Sequence, residues 1–227
     1  MQTLADEFEI RLVCAAGGQK DNVIPNAARA VIALDERNME RAQALCAAMQ
    51  ETLRKEYEAA DPGATVCFVP AAPAASALSA HDTQTVCRFL ELYPNGIESM
   101  SMDIPGLVQT SCNLGIFKVD ETGLTGSGSV RSSVASRKQL LLRKIRLLTE
   151  TLGGTLTVSG EYPAWEYRRE SHLRDVLCEV YKAQYGTDMK VEAIHAGLEC
   201  GLFCGKIPGL DAVSFGPNLY DIHTVKE

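Results

Sequence analysis

The segment at residues 195–201, HAGLECG, places an imidazole, a carboxylate and a thiol among glycines. A further histidine, His223, follows in DIHTVKE. Imidazole and carboxylate groups can ligate zinc, and a thiolate can act as a nucleophile. Glycine lets backbone N–H groups approach a bound molecule closely. The segment is therefore a candidate metal site, a candidate substrate-binding turn, or part of a core that contains polar atoms.

A metal site built from this chain alone would be incomplete. A catalytic zinc ion takes three protein ligands and keeps a position open for water. The sequence has 4 histidines and contains neither His-Glu-x-x-His nor His-x-Asp. His81 and His172 fall at the starts of predicted helices, where we expect them to be exposed. His195 and His223 remain as candidate ligands at the ends of predicted strands, with Glu199 nearby.

Nucleophilic catalysis has one candidate. A reactive cysteine needs a neighbouring histidine that lowers the pKa of its thiol. Cys200 lies close to His195 in the sequence, so a cysteine-dependent enzyme is one hypothesis and a thiol that fills space is the alternative. A serine hydrolase is disfavoured, because GSGSV at residues 126–130 lies in a predicted strand rather than at a strand-to-helix elbow.

Binding of a small zwitterion is the third possibility. Backbone N–H groups are accessible at Gly197 and Gly201, and the carboxylate of Glu199 can bind an ammonium group. Arg131 can bind a carboxylate through two parallel hydrogen bonds. The alternative for Arg131 is a surface residue that ends a strand.

Residues 5–159 have the pattern of a compact α+β unit. Alternating apolar residues predict strands, and apolar residues at helical spacing predict helices packed on one face of an antiparallel sheet. The predicted strands are 7–14, 28–34, 64–70, a hairpin over 110–133, and 155–159. The predicted helices are 38–57, 78–93 and a helix with Leu141, Ile145, Leu148 and Leu152 on its apolar face.

The pattern changes after residue 160. Ser171 is a plausible N-cap for a helix that ends at Gly186. Two short strands, 189–195 and 211–216, flank the glycine-rich segment. This region resembles one unit of an α/β sheet that is too small to fold alone, so we predict a domain boundary near residue 160.

Composition excludes several classes of protein. The formal net charge of −7 argues against nucleic-acid binding, because such proteins concentrate Lys and Arg on one face. No apolar run is long enough to span a membrane, and the N-terminal residues do not form a signal peptide. The 8 cysteines do not have disulfide-framework spacing, which favours the reducing cytoplasm.

Several motifs resemble the aminoacyl-histidine dipeptidases, a family of carnosinase-like metallopeptidases with two zinc ions. The similar segments occur in the family's order: GGQKDNVIPNAA, YPNGI, PGLVQTSCNLG, VRSS, GEYPAW and HAGLECGLF followed by IPGLDAVSFGP and DIHT. The resemblance implies hydrolysis of Xaa-His dipeptides such as β-alanyl-histidine. It also implies a catalytic α/β domain interrupted by a smaller α+β domain that covers the active site, here called the lid.

The resemblance implies a division of the chain and a set of site residues. Residues 1–160 resemble most of the lid, and residues 161–227 resemble the return into the catalytic domain. His223 resembles a zinc ligand. The resemblance implies that Glu199 and its flanking glycines, Gly197 among them, form the wall of the substrate pocket, and that Asn113 and Arg131 face the substrate. We add His195 to these predicted substrate-binding residues.

The chain departs from the family in the parts that carry the chemistry. The family's His-x-Asp and Glu-Glu motifs are absent, and in the implied mechanism the first of the paired glutamates is the general base. We therefore expect no catalytic residue in this chain, weak zinc binding, and an inactive fragment that needs an N-terminal catalytic half. The alternative is a non-catalytic association module that pairs with a second copy or with a separately encoded half.

Overall fold

The computed structural model describes residues 1–216. The strands are β1 (Ile10–Gly17), β2 (Ala28–Leu34), β3 (Gly96–Met100), β4 (Val108–Asp120) and β5 (Gly123–Ser132). The α-helices are α1 (Gln2–Ala5), α2 (Met39–Glu56), α3 (Ala80–Leu92), α4 (Ala135–Thr151), α5 (His172–Tyr185) and α6 (Glu199–Lys206). A short 3-10 helix, Glu36–Asn38, precedes α2.

The chain divides into two compact units. The first unit consists of Met1–Gly96, Cys112–Val130 and Leu142–Leu156. The second unit consists of Ile97–Ser111, Arg131–Leu141 and the described residues from Thr157 onward. The chain therefore passes between the units several times. A lid that ends near residue 160 remains a prediction.

The five strands form one sheet, and the prediction of an antiparallel sheet with helices is confirmed. The strand order is β2-β1-β4-β3, and β5 also pairs with β4. Strand β1 is antiparallel to β2, and it is antiparallel to β4 from Ala15 to Gly17. The register with β2 shifts between Leu12 and Cys14, which makes Val13 the extra residue of a β-bulge.

Helix α3 is attached to β1 through the backbone of Leu12. The N–H of Leu12 donates to Oγ1 of Thr83 at 2.9 Å, and the N–H of Leu78 donates to the carbonyl of Leu12 at 2.8 Å. Thr83 is only 1% exposed, so its hydroxyl satisfies a strand N–H that water does not reach. Helix α3 thus lies along the edge of β1, beside the residues that come before β1 pairs with β4.

Two groups of buried apolar side chains form the core of the first unit. Each joins residues of β1 to residues of a helix, as apolar faces on a sheet and on helices require. The first contains Leu12, Ala15, Val86 and Val119, and the second contains Leu4, Ile10 and Ala42.

The loop between β1 and β2 packs its backbone against β4 at Gly115. A Cβ on Gly115 would overlap the carbonyl oxygens of Lys20 and Asp21. Gly18 adopts φ 74°, a left-handed conformation that favours glycine, and a Cβ there would overlap the carbonyl of Gly115. Two glycines from distant motifs therefore allow one close approach of loop and strand.

Four predicted strands are wrong: 64–70, 155–159, 189–195 and 211–216 have no strand pairing in the structure. An alternating pattern makes a strand only where a second strand satisfies its N–H and carbonyl groups. At 64–70 the side-chain amide of Gln50 takes that role. Its Oε1 accepts from Val66 N–H and its Nε2 donates to the Ala64 carbonyl. The predicted α/β unit after residue 160 therefore contains helices α5 and α6 and no strand among residues 157–216.

Several predictions about helices are confirmed. Leu141 and Ile145 are buried on α4, whereas Arg137, Arg143 and Arg146 on the same helix are exposed. The exposed positions expected for His81 and His172 are also observed. No helix within the described residues is long and apolar enough to cross a membrane.

Replacement of Gly115 by alanine should destabilise the first unit. The new methyl group would overlap two backbone carbonyls that cannot rotate away, and such overpacking costs about 1–3 kcal/mol. Chemical denaturation of Gly115→Ala against wild type measures the loss. Gly63→Ala is the control, because the nearest atom to a Cβ there is Asp61 Oδ1 at 3.8 Å. Equal stability of the two variants would contradict the close approach.

Candidate functional site

His195 is held by a residue far away in the sequence. Its Nε2 lies 2.7 Å from Oγ of Ser111, and the two residues are 84 positions apart. Both side chains are half-buried and both belong to the second unit. Burial lowers the pKa of His195 below its ordinary value, and the positive charge of Arg131 lowers that pKa further. The imidazole is therefore held in its neutral form at neutral pH.

Strands β4 and β5 place Ser111 opposite Arg131. Oγ1 of Thr110 and Oγ of Ser132 are 2.9 Å apart, which makes these two residues neighbours on one face of the strand pair. Because side chains alternate across a strand, Ser111 and Arg131 are neighbours on the other face. The second unit therefore brings together a hydroxyl, an imidazole and a guanidinium.

Arg131 and Glu199 carry opposite charges that no side chain among residues 1–216 neutralises through an ion pair. Both residues are exposed. Within residues 1–216, neither side chain makes a hydrogen bond or an ion pair. A guanidinium and a carboxylate without protein partners are available to a ligand that carries both signs of charge.

Glu199 is the first residue of a helix, which corrects the prediction of a pocket-forming turn over 195–201. The chain bends at His195, and α6 begins at Glu199. Gly201 is buried, and a Cβ there would lie 3.3 Å from Cβ of Trp165. The glycines we interpreted as turn signals instead let a short helix pack closely against the segment around Trp165. Gly197 is exposed and lies just before the helix. A Cβ added to it would lie 3.5 Å from the ring of Tyr162.

Cys200 and His195 do not form a hydrogen-bonded pair in the described residues. The thiol of Cys200 is directed to the carbonyl of Val213 at 3.7 Å, and the imidazole of His195 contacts Ser111. A nucleophilic cysteine needs its base within hydrogen-bond reach. The arrangement does not support the cysteine-dependent enzyme.

Asn113 bridges a loop and a strand of the first unit. Its Nδ2 donates to the carbonyl of Val23 at 3.0 Å, and its Oδ1 accepts from the N–H of Ser129 at 2.9 Å. Each polar end of the amide therefore has a backbone partner. Its contact with a substrate remains a prediction.

The described residues do not fit a zinc site. Within residues 1–216, no group of three or more His, Cys, Asp or Glu side chains could hold a metal ion. Nε2 of His195 is used by Ser111. His223, the predicted ligand, lies outside the described residues.

Within the second unit, the carboxylate of Asp211 links the segment after α6 to the start of α5. Asp211 accepts from the N–H of Leu173 at 2.9 Å and from Oγ of Ser171 at 2.7 Å. Ser171 itself caps α5 by accepting from the N–H of Arg174. A cavity of about 500 Å³ opens beside these groups, at the N-terminal end of α5. It lies at residues 168–175 and 209–211, apart from the predicted site residues.

Comparisons with known proteins agree with the sequence motifs. Cytosol non-specific dipeptidase of Escherichia coli (strain K12) is 30% identical over 223 residues, which cover 98% of this chain and 46% of that protein. The crystal structure of aminoacylhistidine dipeptidase from Vibrio alginolyticus matches with a TM-score of 0.89 and 31% identity. The match covers 94% of this chain and 44% of that one.

One of these two relatives is an aminoacylhistidine dipeptidase, the kind of protein that the sequence motifs resemble. The predicted resemblance is thereby confirmed. The chain spans about half the length of the curated relative that it matches, 46%. No protein-family model matches the chain.

The sequence alone did not identify Ser111 as a site residue. The residue stands inside a quoted motif, PGLVQTSCNLG, but a serine in a strand carries no signal of its own. The predicted hairpin could have identified it, because the register that pairs position 110 with 132 also pairs Ser111 with Arg131.

Replacement of Asp211 should destabilise α5 in a pH-dependent manner. Hydrogen bonds from Leu173 and Ser171 lower the pKa of Asp211 below its ordinary 3.8. A lowered folded-state pKa means that the carboxylate stabilises the fold above about pH 4 and stops doing so as pH falls through that pKa. The melting temperature of Asp211→Ala should therefore be lower than that of wild type at pH 7, and the difference between the two melting temperatures should become smaller under acid conditions.

Thermal denaturation followed by circular dichroism, at several pH values from about 2 to about 7, measures this difference in melting temperature. Asp188→Ala is the control, because the side chain of Asp188 is 83% exposed and its one ion pair among the described residues is with Lys182. The opposite result is a difference in melting temperature between Asp211→Ala and wild type that stays constant down to the lowest pH. That result would show that the charge of Asp211 is not what stabilises the helix.

Proposed function

We propose that this chain is the substrate-binding part of a dipeptidase that hydrolyses Xaa-His dipeptides such as β-alanyl-histidine. The observation that carries the proposal is the match along nearly the whole chain to proteins named as dipeptidases, 98% in one case and 94% in the other. The second of those proteins is named for aminoacyl-histidine substrates.

The unpaired charges suit the two ends of a dipeptide. Arg131 would bind the terminal carboxylate through its fork of N–H donors, which matches a carboxylate's two oxygens. Glu199 would bind the ammonium group, and backbone groups at Gly197 would lie beside the ligand. His195, held near Arg131, would offer its second ring nitrogen. Asn113 belongs to the proposal only through the family resemblance.

Zinc would supply the Lewis acid that polarises the peptide carbonyl in such an enzyme. Because residues 1–216 contain no fitting ligand group, we propose that most zinc ligands and the general base come from another polypeptide segment. His223 would contribute one ligand. We derive no catalytic step through the metal from this chain.

Exposed apolar side chains support association with such a segment. On α5, Leu173, Val176 and Val180 are each at least 38% exposed. Ile194 and Phe203 are exposed as well, at 61% and 55%. Apolar groups collected on a small unit are typical of surfaces that bind protein. The partner would be the missing catalytic portion, and a second copy of this chain is the alternative.

The cytosol is the proposed compartment. The E. coli relative is named as a cytosolic enzyme. None of the eight cysteines, all of which lie within residues 1–216, forms a disulfide, as is usual where glutathione and thioredoxin keep thiols reduced.

Loss of Arg131 should weaken dipeptide binding. Isothermal titration of the full chain with β-alanyl-histidine gives the affinity of each variant. Hydrogen bonds to a charged group contribute about 1.5–3 kcal/mol, so Arg131→Ala should weaken binding about 10- to 100-fold. Arg137→Ala, which removes another exposed arginine of the same unit, is the control. Equal binding by both variants would refute the role of Arg131.

The chain with added zinc should not hydrolyse β-alanyl-histidine at a measurable rate, because it lacks the family's His-x-Asp and Glu-Glu motifs. Release of free histidine, followed by chromatography, measures the reaction. Addition of a polypeptide that carries those motifs should restore turnover. Turnover by the chain alone that disappears in His223→Ala would show a complete site and contradict this proposal.

A further inference from the structure

The hydrogen bond between Ser111 and His195 has a chemical consequence for ligand binding. A neutral imidazole has one N–H donor and one acceptor nitrogen, and the partner of one nitrogen determines which of them carries the proton. The Ser111 hydroxyl lies 2.7 Å from Nε2. Within the described residues, Nδ1 has no hydrogen-bond partner.

The position of Ser111 next to Arg131 makes this consequence relevant to anions. The two residues are opposite neighbours on the paired strands β4 and β5, with Cβ atoms of such neighbours typically about 5 Å apart. The guanidinium is exposed and without a protein partner among residues 1–216. Arg131 is near enough to affect the imidazole electrostatically, so a protonated Nδ1 would add a neutral hydrogen-bond donor to the donors of the guanidinium.

We propose that Ser111 is a positioning residue: its hydroxyl donates to Nε2 of His195 and thereby fixes the Nδ1–H tautomer, so that this N–H and the Arg131 guanidinium together bind the dipeptide's terminal carboxylate. The proposal rests on the proposed function and adds a residue to it. Ser111 itself need not touch the substrate. Burial and the charge of Arg131 keep the imidazole neutral, and a neutral ring has one defined donor.

The alternative tautomer would not serve this purpose. If Nε2 carried the proton and donated to the serine oxygen, Nδ1 would present a lone pair towards the carboxylate. A lone pair repels an anion, whereas an N–H attracts it. The direction of the Ser111 hydrogen bond therefore decides whether His195 helps or hinders carboxylate binding.

The tautomer can be read without any ligand. In the full chain labelled with ¹⁵N-histidine, two-dimensional ¹H–¹⁵N spectra separate a protonated Nδ1 from a protonated Nε2. We expect Nδ1–H in wild type, a shift towards Nε2–H in Ser111→Ala, and recovery of Nδ1–H in Ser111→Thr. Ser127→Ala, which removes an exposed hydroxyl of β5, should leave the His195 signal unchanged.

Binding is measured on the same samples with β-alanyl-histidine and with its terminal carboxamide, which has no carboxylate charge. Loss of one hydrogen bond typically changes affinity by about threefold to tenfold. We expect Ser111→Ala to bind the dipeptide weaker by about that factor while its binding of the carboxamide changes little. Ser111→Thr should restore the preference for the carboxylate.

The two readouts separate the failure of this proposal from that of the proposed function. A wild-type ring protonated on Nε2, or equal loss of affinity for dipeptide and carboxamide in Ser111→Ala, overturns the role of Ser111 while dipeptide binding stands. Absence of dipeptide binding by wild type overturns the proposed function and the role of Ser111 in it together.

Discussion

The attachment of α3 to the backbone of Leu12 is the constraint on which the first unit depends. The strand donates to Thr83 of α3 and accepts from Leu78, which lies just before that helix, so both backbone polar groups of one buried residue have partners at the N-terminal end of α3. The bulge at Val13 follows immediately and shifts the register with β2. Because pairing with β4 begins only at Ala15, β1 changes partner from helix to strand within a few residues. Both apolar clusters of the core contain residues of β1.

Local signals in the sequence predicted best those elements whose stabilising contacts are between residues close together in the sequence. Strand β2 spans the predicted residues, and α5 begins after Ser171 and ends at Gly186, as the cap residues indicate. Caps and helical periodicity depend on neighbours three or four residues away. Strands depend on distant partners, so the alternating segments at 64–70 and 189–195 did not become strands.

The candidate site shows the same division. Arg131, His195 and Glu199 could be selected from residue type and motif, because Arg131 ends a predicted strand in the VRSS motif and the other two lie in the glycine-containing HAGLECG segment. Ser111 could not, because its role comes from a partner 84 positions away. The start of α6 at Glu199 was also missed, since Gly201 has a packing role against Trp165 that its sequence context does not reveal. Motif resemblance identified the family, whereas tertiary contacts assigned the hydrogen bonds.

The bridge from Asp211 to the start of α5 links residues 40 positions apart. Helix α6 lies inside the loop that this bridge closes, and the thiols of Cys200 and Cys204 contact carbonyls next to that carboxylate. Fraying of the first turn of α5 would therefore release one end of the segment that carries His195 and Glu199. Amide hydrogens of the two helices should exchange with solvent as one cooperative opening unit, so the residues proposed to bind a ligand have the local stability of a helix cap rather than that of the sheet.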